Sequence, residues 1–164
     1  MKKFVFIISL LISFICTSNA QSIESGLAAA AVTPSGNFSD LVGTGYGGVF
    51  MAKLGVPLLD VTGSVEYLNF SEKDVANLKY SSYMWGINAG ARISIFPYIS
   101  AGAELGNYWI TVTTNNGSNK NTSTENKIAF TPLIAANIGV FEGSIRYAII
   151  SDASFISIRA GIYF

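Results

Sequence analysis

Five charged residues stand in the middle of otherwise apolar runs: Glu66, Arg92, Glu104, Arg146 and Arg159. Two carboxylates near cations are the raw material of general acid–base catalysis, with a guanidinium to stabilise developing negative charge. The same set also serves a purely structural end, opposite charges neutralising one another in a confined interior. The rest of the chain favours the second use. Histidine is absent, which removes His-based triads, His general bases and His metal ligands. The one cysteine, Cys16, lies in the N-terminal apolar run and not among the charged positions. The chain is therefore read as a non-enzyme that needs no cofactor and no metal, with the five charges as a structural network.

Other motifs carry less. Gly43, Thr44, Gly45, Tyr46, Gly47 and Gly48 match the glycine spacing of a dinucleotide-binding loop. That loop must open a helix, and here residues 49–53 lead to Gly55 and Pro57 instead. Glycines inside a tightly packed strand are the better reading. Asn37, Phe38, Ser39 and Asn121, Thr122, Ser123 match a glycosylation pattern by chance. Formal net charge is zero, so nothing points to nucleic acid.

The elements that carry the charges follow from composition and periodicity. Half of the 164 residues are hydrophobic and only 12% are charged. After the N-terminus, however, no run approaches the ~20 apolar residues of a membrane helix. The N-terminus reads as a secretory signal peptide: Lys2 and Lys3, an apolar core over 4–16, then Ser18, Asn19 and Ala20 at the cleavage positions. This divides the chain into a cleaved leader, 1–20, and one domain, 21–164. Cys16 as a lipid attachment site is disfavoured because Ile15 stands where a small residue is needed.

The mature chain alternates with the period of a strand. In 155–164, Ile156, Ile158, Ala160, Ile162 and Phe164 share one face, and Ser157, Arg159, Gly161 and Tyr163 the other. Ile145, Tyr147 and Ile149 oppose Ser144, Arg146 and Ala148, and Val65 and Tyr67 oppose Ser64 and Glu66. Eight such segments are expected, at 24–33, 43–54, 59–70, 82–96, 98–114, 127–140, 142–151 and 154–164. Residues 27–31 are alanine-rich enough to read as helical on propensity alone. Short turns at 54–58, 96–98 and 140–143 alternate with longer polar loops at 33–42, 71–81 and 115–126.

Short turns at one end and long loops at the other, with strands of about ten residues, describe a barrel that crosses a bilayer. The polar face agrees. It holds glycine, serine, alanine, asparagine and isolated charges, whereas a water-facing surface carries many lysines and glutamates. The predicted fold is an all-β, eight-stranded antiparallel transmembrane β-barrel, an up-and-down meander with its oily face outward. Tyr67, Tyr83, Trp85, Tyr98, Tyr108 and Trp109 are expected near the two membrane interfaces.

The leader, the residues Pro34, Ser35, Gly36, Asn37, Phe38, Ser39 and Asp40 leading into Gly43–Gly48, and the terminal Gly161, Ile162, Tyr163 and Phe164 together resemble the small outer-membrane β-barrel domain family, the OmpA/OmpX-like barrels, in the form common among Bacteroidota. The resemblance spans the mature chain. It implies a bacterial outer-membrane location, lipid as the surrounding partner, and a final strand read by the barrel-assembly machinery through Ala160, Ile162 and Phe164. It leaves no room for a peptidoglycan-binding domain. The expected role is a monomeric, non-enzymatic outer-membrane protein whose loops contact an external partner. Two other readings are a narrow channel or small-solute transporter, and a soluble secreted barrel binding an apolar ligand. If the oily face meets lipid, Ile158→Arg costs about 2–4 kcal/mol of insertion free energy, and the same change at Ser157 should cost less. The fraction folded into lipid vesicles measures the order.

Overall fold

The computed structural model describes residues 22–56, 58–75, 78–115 and 119–164; the expected leader, 1–20, lies outside them. Eight strands follow in order: β1 (Ser22–Pro34), β2 (Gly45–Val56), β3 (Leu59–Val75), β4 (Leu78–Phe96), β5 (Ile99–Asn115), β6 (Lys120–Ile138), β7 (Phe141–Ile150) and β8 (Phe155–Tyr163). Each pairs antiparallel with its neighbour, and β8 returns to β1 to close the barrel. At the closing seam Ser25 and Phe164 exchange both backbone hydrogen bonds, at 3.2 and 2.7 Å. No described helix is long and apolar enough to cross a membrane.

Period-two sequence becomes period-two burial. Along β7, Glu142, Ser144, Arg146, Ala148 and Ile150 are buried, while Phe141, Ile145, Tyr147 and Ile149 are exposed. All eight expected strands form, including the alanine-rich β1. Pairing with β2 and β8 on its two edges outweighs the modest helical preference of alanine.

Two expected loops are largely strand instead. The polarity of 71–81 and 115–126 predicts loops, but β3 continues to Val75, β4 starts at Leu78, β5 reaches Asn115 and β6 starts at Lys120. Polarity marks contact with water and not the end of a ladder. Threonine, β-branched, suits a pleated surface, and across β5–β6 the hydroxyls of Thr111 and Thr124 meet at 2.9 Å and those of Thr113 and Thr122 at 3.2 Å. On the β3–β4 arm Lys79 donates to Glu72 at 2.8 Å, and that carboxylate pushes the Lys79 pKa up. Strands β3 to β6 therefore rise as a four-stranded sheet above the level at which β7 ends, Ile150 opposite Ala129.

The remaining loop, between β1 and β2, folds inward. It contains one short helix, α1 (Phe38–Leu41), which buries Phe38, with Val42 buried just after it. Gly36, at φ +59°, makes the turn into it, and Ser39 Oγ donates to the Gly36 carbonyl at 2.7 Å. Phe38 stacks edge-on against Phe70 at 5.0 Å, Phe70 against Phe155 at 6.0 Å, and Phe155 against Tyr108 at 5.8 Å. The loop end of the lumen is thus closed by apolar packing, a feature the alternation pattern does not announce.

Tyr108 owes its place to Gly86 across the sheet. A Cβ at Gly86 would lie 2.5 Å from Tyr108 Cε1. Gly86→Val should therefore displace the ring and destabilise the barrel by about 1–3 kcal/mol, the usual cost of overpacking. Urea unfolding from lipid vesicles, followed by tryptophan fluorescence, measures the loss.

Candidate functional site

The interior charges form a ladder along the barrel axis. Nearest the turn end, Arg92 on β4 contacts Glu142 on β7 at 2.8 Å and Asp60 on β3 at 3.9 Å, and donates to Tyr163 Oη at 3.1 Å. In the next tier Arg146 on β7 grips Glu104 on β5 with both terminal nitrogens, and Thr62 adds a hydrogen bond to the same carboxylate at 3.1 Å. Higher still, Glu66 on β3 is fully buried. It accepts from Arg159 on β8 at 2.7 Å, from Asn88 at 2.8 Å and from Tyr108 Oη at 2.5 Å.

The structure therefore brings all five sequence-selected charges into one enclosure, as three tiers rather than one cluster. Sequence reading misses Glu142 and Asp60. Glu142 shares the parity of Ser144 and Arg146, but stands where the expected turn, 140–143, overlaps the start of the expected strand, 142–151. Asp60 shares the parity of Ser64 and Glu66, so strand parity is the available signal for both. At the turn-end mouth Lys53 pairs with Glu24 at 2.8 Å and lies 4.6 Å from the centre of the Tyr163 ring.

The chemistry open to these groups is limited by space. The void bounded by Thr62, Arg92, Glu104, Glu142, Arg146 and Arg159 amounts to about 10 Å³, room for one water at most. A void of that size leaves no room for a substrate beside these carboxylates. Burial of each ion is costly, and only a tightly hydrogen-bonded partner offsets it.

The outer face is the reverse. Large apolar side chains cover it, including Ile87, Leu105, Ile134, Ile145 and Ile158, each more than half exposed. Aromatics collect toward both rims. Trp85 lies 4.9 Å from Tyr67, with Tyr83 6.0 Å beyond it, and Phe96, Tyr98, Phe141 and Phe164 surround the turn end. Tyr108 is a correction to the expected interfacial set: it points inward, 1% exposed, because its parity is that of Glu104 and its hydroxyl serves Glu66. Ala160 and Ile162 on β8, and Phe164 just beyond it, are all exposed.

No protein-family model matches the chain, and no curated protein matches it in sequence. Solved structures do match in shape. Ail, the attachment invasion locus protein of Yersinia pestis, superposes with a TM-score of 0.61 at 17% identity, over 88% of this chain and 97% of Ail. Ail has also been determined in a phospholipid bilayer nanodisc. Neisserial surface protein A gives 0.57 at 12% identity, over 88% of this chain and 98% of its own. A major outer membrane protein from Thermus thermophilus gives 0.60 at 8%, over 87% and 100%. The fold is that of the small eight-stranded outer-membrane barrels.

In a barrel of this type the inward wall tolerates little. Ser157 is 1% exposed and lies opposite Arg146 on β7. This burial overturns the expected mildness of Ser157→Arg. A third guanidinium there meets like charge and has no room, so the change should block folding as effectively as Ile158→Arg. Glu66→Leu should cost about 3–5 kcal/mol by leaving Arg159 buried and unpaired, whereas Glu66→Leu combined with Arg159→Leu should recover most of that loss. Urea midpoints in vesicles separate the two.

Proposed function

We propose that the chain is a closed, non-enzymatic outer-membrane barrel that anchors a polar four-stranded sheet above the bilayer for contact with an external partner. The observation that carries this reading is the inverted polarity: an oily exterior around a lumen sealed by ion pairs. Hydrocarbon offers no hydrogen bonds, and a closed barrel satisfies its backbone within itself. The Ail nanodisc structure supports lipid as the surroundings by analogy of fold. Residues 1–20 are read as the export leader, and Ala160, Ile162 and Phe164 as the features presented to the barrel-assembly machinery. The working form is a monomer.

The ionic tiers and the phenylalanine plug disfavour a channel, because conduction needs a continuous wet path. The oily exterior disfavours a soluble carrier, whose surface would be charged. What remains exposed to an external partner is the sheet formed by β3 to β6, with its threonine, serine and asparagine surface. Purified mature protein should migrate on SDS gels at a heat-dependent position and raise no conductance in planar bilayers. Heat-independent mobility together with solubility in plain buffer would sink the membrane reading, and stable single-channel steps would replace the anchor with a pore.

A further inference from the structure

One seam of the barrel is incomplete. Between β6 and β7 the pairing runs Ala129–Ile150 and Phe130–Ile149, skips Thr131 and Pro132, and resumes in the same register at Leu133–Arg146. Proline has no N–H to donate, and on its other side β6 pairs with β5 without interruption, Pro132 lying opposite Ala103. The defect is therefore local and faces β7. Over it lies an outward-opening groove of about 520 Å³, lined by Pro132, Ile134, Ile145, Tyr147 and Ile156. Leu133 and Arg146, the pair at which the ladder resumes, also border it. The size is within the ~300–1,000 Å³ of ligand pockets.

At its loop end the groove meets a second recess of different character. Ser35 and Tyr147 line both, their hydroxyls 3.5 Å apart. Beyond them, Asn37, Asp152 and Ser154 bound a polar space of about 230 Å³. Among the described residues no lysine or arginine lines this recess, and its only charge is the Asp152 carboxylate. An oily slot within the apolar belt, opening at the rim into an uncharged-to-acidic polar pocket, has the shape and polarity of an amphiphile. Lys127 reaches Asp152 at 3.5 Å but is shared with Glu125 at 3.0 Å, so a phosphate head would compete with two carboxylates for the one cation nearby.

We propose that the β6–β7 seam holds a membrane amphiphile, its acyl chain in the groove over Pro132 and its uncharged, hydroxyl-bearing head in the recess at Ser35 and Asn37. This rests on the membrane-spanning reading above. The site would fix one lipid at one azimuth of the barrel, where the wall lacks its own hydrogen bonds.

The test uses the mature protein in phosphatidylcholine nanodiscs with a diazirine-bearing alkyl glucoside at low mole fraction, and mass spectrometry of the labelled peptides. Label should concentrate on peptides carrying Pro132, Ile134, Ile145 and Tyr147, above those carrying the equally exposed Ile87 or Leu105. Ile145→Trp, which fills the groove, should reduce that labelling about tenfold, equivalent to ~1.4 kcal/mol of affinity. Ser35→Lys, at the rim, should shift preference toward the corresponding alkyl phosphate and serves if the tryptophan variant does not fold. Inserted wild-type protein labelled evenly around its circumference overturns the proposal alone. So does seam-to-seam cross-linking between copies, or a wild-type preference for the phosphate probe. Failure of the wild type to insert at all overturns the membrane reading itself.

Discussion

A closed eight-stranded wall leaves so little interior that nothing but side chains can occupy it. Water cannot enter in quantity to solvate an ion, so each inward charge must bring its counter-charge from another strand. This constraint explains why Glu66, on β3, is answered by Arg159 on β8, and Glu104, on β5, by Arg146 on β7. It also explains why Asn88, Tyr108 and Thr62 add hydrogen bonds to the carboxylates, and why Tyr163 accepts one from Arg92. The ladder links strands that are not neighbours in the sheet. It thereby fixes the cross-section that backbone pairing alone leaves free to flatten.

The lumen has two regimes. Toward the turn end it is ionic, and toward the loop end it is aromatic and aliphatic, with Phe38, Phe70, Phe155 and Met84 buried together. Tyr108 belongs to both, its ring against Phe155 and its hydroxyl on Glu66. The boundary between a polar and an apolar filling therefore falls within one side chain, and Gly86 provides the space for it. The short helix α1 completes the apolar half by turning Phe38 down into the barrel.

Most of the wall is legible in the sequence because strand parity is rigid: once Arg146 and Arg159 are placed inside, every second neighbour follows. Tyr108 is misjudged by type, aromatics being common at membrane rims, when its parity already points inward. The reach of β3 to β6 is underestimated when polar composition is equated with a loop, although the threonines at 111, 113, 122 and 124 are strand-forming residues that register across a hairpin. Glu142 escapes because it stands where the expected turn, 140–143, and the expected strand, 142–151, overlap. The inward fold of α1 and the break beside Pro132 depend on which partner each residue meets across space. A one-dimensional pattern contains no such information, and the proline alone does not say which of its two neighbours loses a bond.

The unequal strand lengths have a further meaning. Strands β3 to β6 run 17 to 19 residues, whereas β7 and β8 run 10 and 9. A cylinder rotating in a fluid membrane presents the same profile from every direction; this one does not. Its high parapet stands on one side only, so the molecule has a heading, and a visitor arriving laterally meets either a tall upright screen or a low sill depending on the instant of approach. On the proposed seating in a bilayer, lateral contact with the molecule would consequently be directional, set by how the parapet happens to be turned.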